Sequence, residues 1–195
     1  MSDVLASQKK KAAARAAQAQ AQVQASANVS DFAKMCIRVG KIIKAWDHES
    51  ADSLLCEEID VGEESTRMIA SGIKAHYAKE DLVGRMVLVV CNLKASKILG
   101  FESNGMVLAA MGEDKVELVG VPDGSEVGER VFIPGLSGEP VSSAQVKKKK
   151  IWSSVSKSLK ADAEGSLVWE GEGGGTVQTK KGKCVVESLK DVPVK

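Results

Sequence analysis

Asn92, Lys94, Lys97, Ser103 and Asn104 fall within one stretch of thirteen residues, between the apolar runs Val87–Cys91 and Met106–Met111. Amide, ammonium and hydroxyl groups at this density suit reversible hydrogen bonding and charge neutralisation. Phosphate oxygens and sugar hydroxyls are the groups they would satisfy. Strands on either side would hold such a loop rigidly, which is how a fold presents polar groups to a partner. Gly100 and Gly105 punctuate the loop and let the chain turn within it.

Other chemistry is poorly supplied. The segment Asp47-His48-Glu49-Ser50-Ala51-Asp52-Ser53 holds every residue type of a hydrolytic triad. A triad, however, draws its members from separate elements, and seven consecutive residues of one turn cannot converge that way. Asp and Ser ahead of a strand serve first as turn and cap residues. His76 is the only other histidine, so a histidine base has little support. No Walker loop, GxGxxG, HExxH or GxSxG motif occurs. The glycine run 171–175 precedes no helix and reads as a hairpin tip. Cys36, Cys56, Cys91 and Cys184 are widely spaced, which argues against a structural zinc site and for reduced core thiols of an intracellular protein. No catalytic residue, metal or cofactor is expected.

Charge is partitioned along the chain although the net value is only +1. Residues 1–30 carry Lys9, Lys10, Lys11 and Arg15 against one acid, for +3. Residues 31–140 hold 12 basic and 19 acidic side chains, for −7, and residues 141–195 hold 11 and 6, for +5. Basic ends around an acidic middle suit a polyanionic partner met by the ends and by local patches. Lys147, Lys148, Lys149 and Lys150 are consecutive, ahead of the apolar positions Ile151, Trp152, Val155 and Leu159 of an expected amphipathic helix. Cations at a helix N-terminus are disfavoured by about 0.3–1 kcal/mol each, so phosphate contact would be their reward. Aromatic residues make up only 4% of the chain, and a base-stacking platform looks poorly supplied. Recognition of a folded RNA by phosphates, 2′-hydroxyls and shape fits better.

These groups need a support, and short strands supply it. Residues 1–31 are rich in Ala, Gln and Lys and read as a basic arm, helical or disordered. From Phe32, strands are expected at Met35–Trp46, Ser53–Val61, Arg67–Ser71, Met86–Cys91, Met106–Met111, Val116–Leu118 and Arg130–Ile133, with a helical turn at Ala78–Gly84. Gly40 inside the first strand suggests a bulge or bend. This pattern suggests a small closed barrel over 32–140. Residues 141–195 add a helix at 147–161 and strands at Leu167–Trp169, Thr176–Gln178 and Lys183–Val186. That unit is too short for a core of its own, so it should pack on the barrel with Trp152 and Trp169 as anchors. No apolar run reaches the ~20 residues of a membrane span, and no signal core opens the chain.

The segments HESADSLLCEEIDVG (48–62), IASG (69–72), CNLKASKILGFESNGM (91–106) and KKKKIW (147–152) resemble the tRNA-binding domain of the endothelial monocyte-activating polypeptide II (EMAP II) family. The resemblance runs from about Phe32 to Lys195. It implies a mainly β fold: a five-stranded oligonucleotide/oligosaccharide-binding (OB) barrel with an α+β C-terminal extension that imitates a dimer partner, leaving the protein monomeric. It implies non-catalytic, structure-directed tRNA binding beside an aminoacyl-tRNA synthetase, as an appended domain of, for example, a methionyl-, lysyl- or tyrosyl-tRNA synthetase, or as a free cytoplasmic cofactor. Asn92, Lys94, Lys97, Ser103 and Met106 match the family's RNA-face motif, and Asn104, Arg38, Lys41 and Ser71 join the expected tRNA-binding set. Arg38-Val39-Gly40-Lys41-Ile42-Ile43-Lys44 resembles the family's cytokine-linked heptapeptide. A released cytokine-like polypeptide and a scaffold docking on synthetases are therefore the alternative readings. In one departure, Glu49 follows His48 where the family usually has proline.

Overall fold

A computed structural model describes residues 29–195 of the chain; the expected basic arm up to Asn28, with Lys9, Lys10, Lys11 and Arg15, lies outside the described residues. Its strands in chain order are β1 (Ile37–Asp47), β2 (Leu55–Asp60), β3 (Arg67–Ser71), β4 (Met86–Val90), β5 (Ser96–Ile98), β6 (Phe101–Ser103), β7 (Met106–Val107), β8 (Ala109–Met111) and β9 (Val116–Leu118), with a one-turn helix α1 (Lys79–Leu82) before β4. The principal sheet runs β3-β2-β1-β4-β7, antiparallel throughout, and curls into a nearly closed five-stranded barrel. The seam closes between β3 and the residues ahead of β7. There the Asn104 amide donates to Met68 O at 2.8 Å, the Ala70 amide to Ser103 Oγ at 3.2 Å, and the Arg67 guanidinium to Asn104 O at 2.7 Å.

Residue parity explains the apolar runs. Val87 and Val89 of β4 point into the barrel with Ile42, Leu55, Ile59 and Ile69. Leu88 and Val90 point to the other face, with Ile37 and Val39, into a second core shared with the C-terminal unit. A strand buried on both faces reads as continuous apolar sequence, not as alternation. Gly40 does not mark the bulge, which falls between Ile42 and Lys44. A Cβ at Gly40 would meet Ile59 Cγ2 at 2.8 Å and Val61 and Val89 at 3.1 Å. Close packing inside the barrel therefore requires the glycine. The expected strand Met106–Met111 breaks at Leu108, pairing first with β4 and then with β9. Arg130–Ile133 makes only single bridges, Arg38↔Arg130 and Phe132↔Gln178.

The C-terminal unit contains α2 (Ser143–Lys148), α3 (Ile151–Val155), β10 (Leu159–Ala161), β11 (Leu167–Trp169), β12 (Gly175–Thr176), β13 (Gln178–Thr179), β14 (Gly182–Lys183) and β15 (Val192–Pro193). The single helix expected over 147–161 is two helices and a strand. Ser142 caps α2, its hydroxyl accepting from the Gln145 amide, and the helix ends at Lys149. Lys150 is left-handed (φ 53°), and Leu159 belongs to β10. Reciprocal amide pairs stitch this unit to the barrel: Ala109 with Lys195 at 2.8 and 2.9 Å, Gly120 with Val185 at 2.7 and 3.1 Å, and Phe132 with Gln178 at 2.9 Å each way. Val146, Ile151, Val155, Leu159 and Trp169 share one core with Ile37, Val39, Leu88 and Val90. Trp169 is the deep anchor, its ring 5.6 Å from Phe32, whereas Trp152 is only half-buried.

Candidate nucleic-acid interface

The loop after β4 is pinned from beneath. Asn92 uses its whole side chain internally: Oδ1 accepts from the Cys36 amide at 2.9 Å, and Nδ2 donates to Lys34 O and Val141 O at 3.0 and 2.9 Å. Its amide thus joins the barrel, the segment before β1 and the start of the C-terminal unit. Arg67, which the sequence did not single out, donates to Cys91 O at 2.8 Å and Asn104 O at 2.7 Å while a Glu63 carboxylate grips its other edge. That hydrogen bond with Glu63 raises the guanidinium's pKa further, and Glu63 is held below the usual carboxylate range in return. Ser103 is buried, accepting from the Ala70 amide and donating to Gly105 O at 3.2 Å. Only the Asn104 backbone is committed to the seam. Beneath the loop, the Cys91 thiol, and then Arg38, hold Cys36 below the ordinary thiol range.

Lys94, Lys147 and Lys150 converge where this loop meets the C-terminal unit, whereas Lys97, Lys148 and Lys149 do not line the opening. A cleft of about 370 Å³ is lined by Leu93, Lys94, Ser96, Lys147, Lys150 and Trp152, among others. Residues more than fifty positions apart in sequence thus share one opening, with cations at the rim and an apolar floor. Among the described residues, Lys94, Lys97 and Lys147 through Lys150 make no ion pair, whereas Lys34, Lys74, Lys79, Lys115 and Lys160 do. Lys97 is exposed on β5, opposite Glu102. Lys147 and Lys148 occupy the last turn of α2, not the first turn of a helix, so the dipole favours them; this reverses the sign expected from the sequence. The left-handed Lys150 sits at the break, in a conformation that disfavours a side chain.

The remaining expected residues lie elsewhere. Arg38 turns toward Val61 O (3.5 Å) and Glu63 (3.9 Å), and Lys41 is exposed on β1. Ser71 donates to Glu57 Oε2 at 2.9 Å inside the barrel, and Met106 is half-buried against the shared core. None of the four lines the lysine cleft. The heptapeptide Arg38–Lys44 is central strand, with Val39 and Ile42 fully buried. In the Asp47–Ser53 turn, His48 Nδ1 accepts from the Ser50 amide and Nε2 faces Ile98 O at 3.1 Å, so both ring nitrogens serve the backbone. Hydrogen bonds from Lys74 and Lys79 lower Asp47 to about 2. Two buried carboxylates escaped sequence reasoning because each looks like strand polarity. Glu57 lies among the barrel's apolar residues, where burial raises it to about 8. Glu117 accepts from the amides of Glu187, Ser188 and Leu189 and from the Ser188 hydroxyl at 2.6 Å. Burial would raise its pKa, but those donors outweigh burial and hold it low.

Residues 37–130 match the family described as "Putative tRNA binding domain". The chain is 42% identical over 142 residues to the cytoplasmic methionine–tRNA ligase of Caenorhabditis elegans, covering 73% of this chain and 15% of that protein. It is 36% identical over 166 residues to mouse aminoacyl tRNA synthase complex-interacting multifunctional protein 1, covering 85% of this chain and 52% of that protein. The chain therefore spans from under a sixth to about half the length of these curated relatives. The crystal structure of the C-terminal domain of Plasmodium vivax p43 superposes with a TM-score of 0.74 at 30% identity, covering 86% of this chain and all of that one. That match spans both parts of the fold, and the chain belongs to the EMAP II-like family of tRNA-binding domains.

Proposed function

We propose that this chain is a non-catalytic module that binds tRNA by shape and phosphate contact and thereby assists an aminoacyl-tRNA synthetase, in cis or in trans, in the cytoplasm. The observation that carries this reading is the cleft that joins Lys94 to Lys147 and Lys150. Lys94 and Lys97 meet phosphate directly, Lys147 through Lys150 extend the basic surface, and the Asn104 side chain supplies hydrogen bonds. Asn92, Ser103 and Arg67 act beneath them, holding the loop in one shape. Arg38, Lys41, Ser71 and Met106 lie off this cleft. The barrel (32–140) and the extension (141–195) work as one surface, and the chain is monomeric because the extension covers the face that a second subunit would otherwise take. A cytokine-like role for Arg38–Lys44 is disfavoured in the folded chain, because β1 is paired on both sides.

The test is tRNA affinity as a function of salt. Contact with four to six phosphates gives a log–log slope of roughly −3 to −5. The paired substitution Lys94→Ala and Lys97→Ala should weaken binding several-fold and flatten the slope, with the melting temperature nearly unchanged. A salt-independent affinity would sink the reading.

A further inference from the structure

At the far end of the β5–β6 hairpin from the lysine cleft lies a second opening, of about 500 Å³, lined by Trp46, His48, Glu49, Leu99 and Phe101 among others. It is aromatic in a chain that has few such residues. The Trp46 and Phe101 rings stand 6.2 Å apart at 66°, and the His48 and Phe101 rings 5.9 Å apart at 62°. Lys44 Nζ lies 5.3 Å from the Trp46 ring centroid. The pocket is rigid, because His48 ties the hairpin to β1 through Ile98 O and is itself fixed by the Ser50 amide.

The hairpin tip is built against local preference. Leu99 and Gly100 both have positive φ, 45° and 94°, as in a type I′ turn. Asn-Gly or Asp-Gly is the usual pair there, and a leucine with left-handed backbone is disfavoured because its Cβ crowds the following carbonyl. Leu99 is nevertheless 64% exposed at the mouth of the pocket, satisfying nothing in the folded chain. A strained backbone that holds an apolar side chain out in solvent points to a ligand face.

We infer that this pocket takes one unpaired nucleobase of the bound RNA, stacked on Phe101 with the tilted Trp46 ring at its edge and Leu99 closing over it. The inference rests on the phosphate-binding reading above. Continuity identifies the occupant: Ser96 at the base of the hairpin lines the lysine cleft, and Leu99 and Phe101 at its tip line this pocket. Strands of three residues span about 10 Å, so one short ribbon carries both openings. Lys97 lies on β5 between Ser96 and Leu99, and Lys44 lies over the Trp46 ring. Glu49 at the rim is an acceptor for a base amino group. Aromatic faces accept any base, so the pocket adds affinity for unpaired nucleotides without sequence preference.

The test uses the full chain, tRNA, and two probes of equal charge: a short single-stranded oligoribonucleotide and its counterpart with abasic residues. The unaltered chain should bind the base-bearing oligomer more tightly. Phe101→Leu should weaken tRNA and base-bearing oligomer roughly five- to thirty-fold, leave the abasic oligomer unaffected, and keep the salt slope. Leu99→Ser, at an exposed position that carries no folding load, should give a smaller loss of the same selectivity. Equal affinity of the unaltered chain for the two oligomers overturns the inference, as does wild-type binding by both variants. The paired Lys94→Ala, Lys97→Ala substitution should weaken both oligomers alike. If it changes neither, the phosphate reading fails, which is a separate result from silent Phe101 and Leu99 variants.

Discussion

Asn92 and Lys94 are two positions apart and do opposite work. All three of Asn92's hydrogen bonds are internal, and removing the side chain strands the Cys36 amide and two carbonyls in a half-buried site. Asn92→Ala should therefore lower stability by about 2–4 kcal/mol in denaturant unfolding, at 0.5–1.5 kcal/mol per bond plus the exposed penalty. Lys94→Ala, at an exposed position, should stay within about 0.5 kcal/mol of the parent while weakening RNA binding. Affinity and stability measured on both variants separate the platform from the contact. Glu57 poses a different problem at the same scale. It sits within the barrel, bonded only to Ser71, with Oε1 unpartnered, and burial raises its pKa from 4.5 to about 8. The folded state then binds more protons than the unfolded chain between those values. The Glu57 contribution to stability is full below about pH 4.5 and falls as pH rises toward 8, by at most about 1.4 kcal/mol per pH unit. Glu57→Gln should flatten that decline in unfolding curves recorded across pH 5–8; an unchanged slope would show that another group causes it.

Among the elements, those that were legible owe it to periodicity and punctuation. β3, β9 and β11 fall where Arg67–Ser71, Val116–Leu118 and Leu167–Trp169 were read, each bounded by turn residues. The sequence of the β5–β6 hairpin reads as a loop because its tip is Leu-Gly, not a recognised turn pair, and its strands are only three residues long. The break between α2 and α3 carries no glycine or proline; four lysines continue the helical composition across it, and only tertiary packing of Val146 and Ile151 separates the two turns. The lysines' place beside Lys94 was invisible for the same reason, since no local signal reports a contact between residues 94 and 150. The break itself is testable. Lys150→Gly relieves a left-handed lysine and should raise stability by about 1 kcal/mol, while removing one cation from the cleft. Higher melting temperature with weaker tRNA binding is the expected pair of results. A lysine there that matters for neither would leave its strained conformation without a function.

For the whole molecule, the question is what the C-terminal unit does for the barrel. It covers Ile37, Val39, Leu88, Val90 and Leu108, a face that an isolated barrel would leave open to water. At about 25 cal/mol per Å² this surface is a strong drive to association, and contiguous exposed patches of this kind mark interfaces. The attachment is also polar at one critical point. Glu117 reaches from β9 to accept three amides and a hydroxyl from residues 187–189, and Lys195 completes a reciprocal pair with Ala109. Glu117→Ala leaves those amides without their buried acceptor, so the last residues should loosen first, seen as faster amide exchange over 185–195 at a cost of about 1–3 kcal/mol. Because the donors depress the Glu117 pKa, its contribution holds above the ordinary carboxylate range and is lost as pH falls through the lowered value. Ending the chain at residue 140 is the stronger test. The remaining barrel keeps its interior core but loses its cover, the lysines at 147–150 and one wall of the cleft. It should self-associate in light scattering more strongly than the full chain at equal concentration, and its tRNA affinity per barrel should fall with a shallower salt slope. A monomeric, well-folded chain ending at residue 140 with undiminished affinity would show that the extension neither replaces a subunit nor shares the RNA surface.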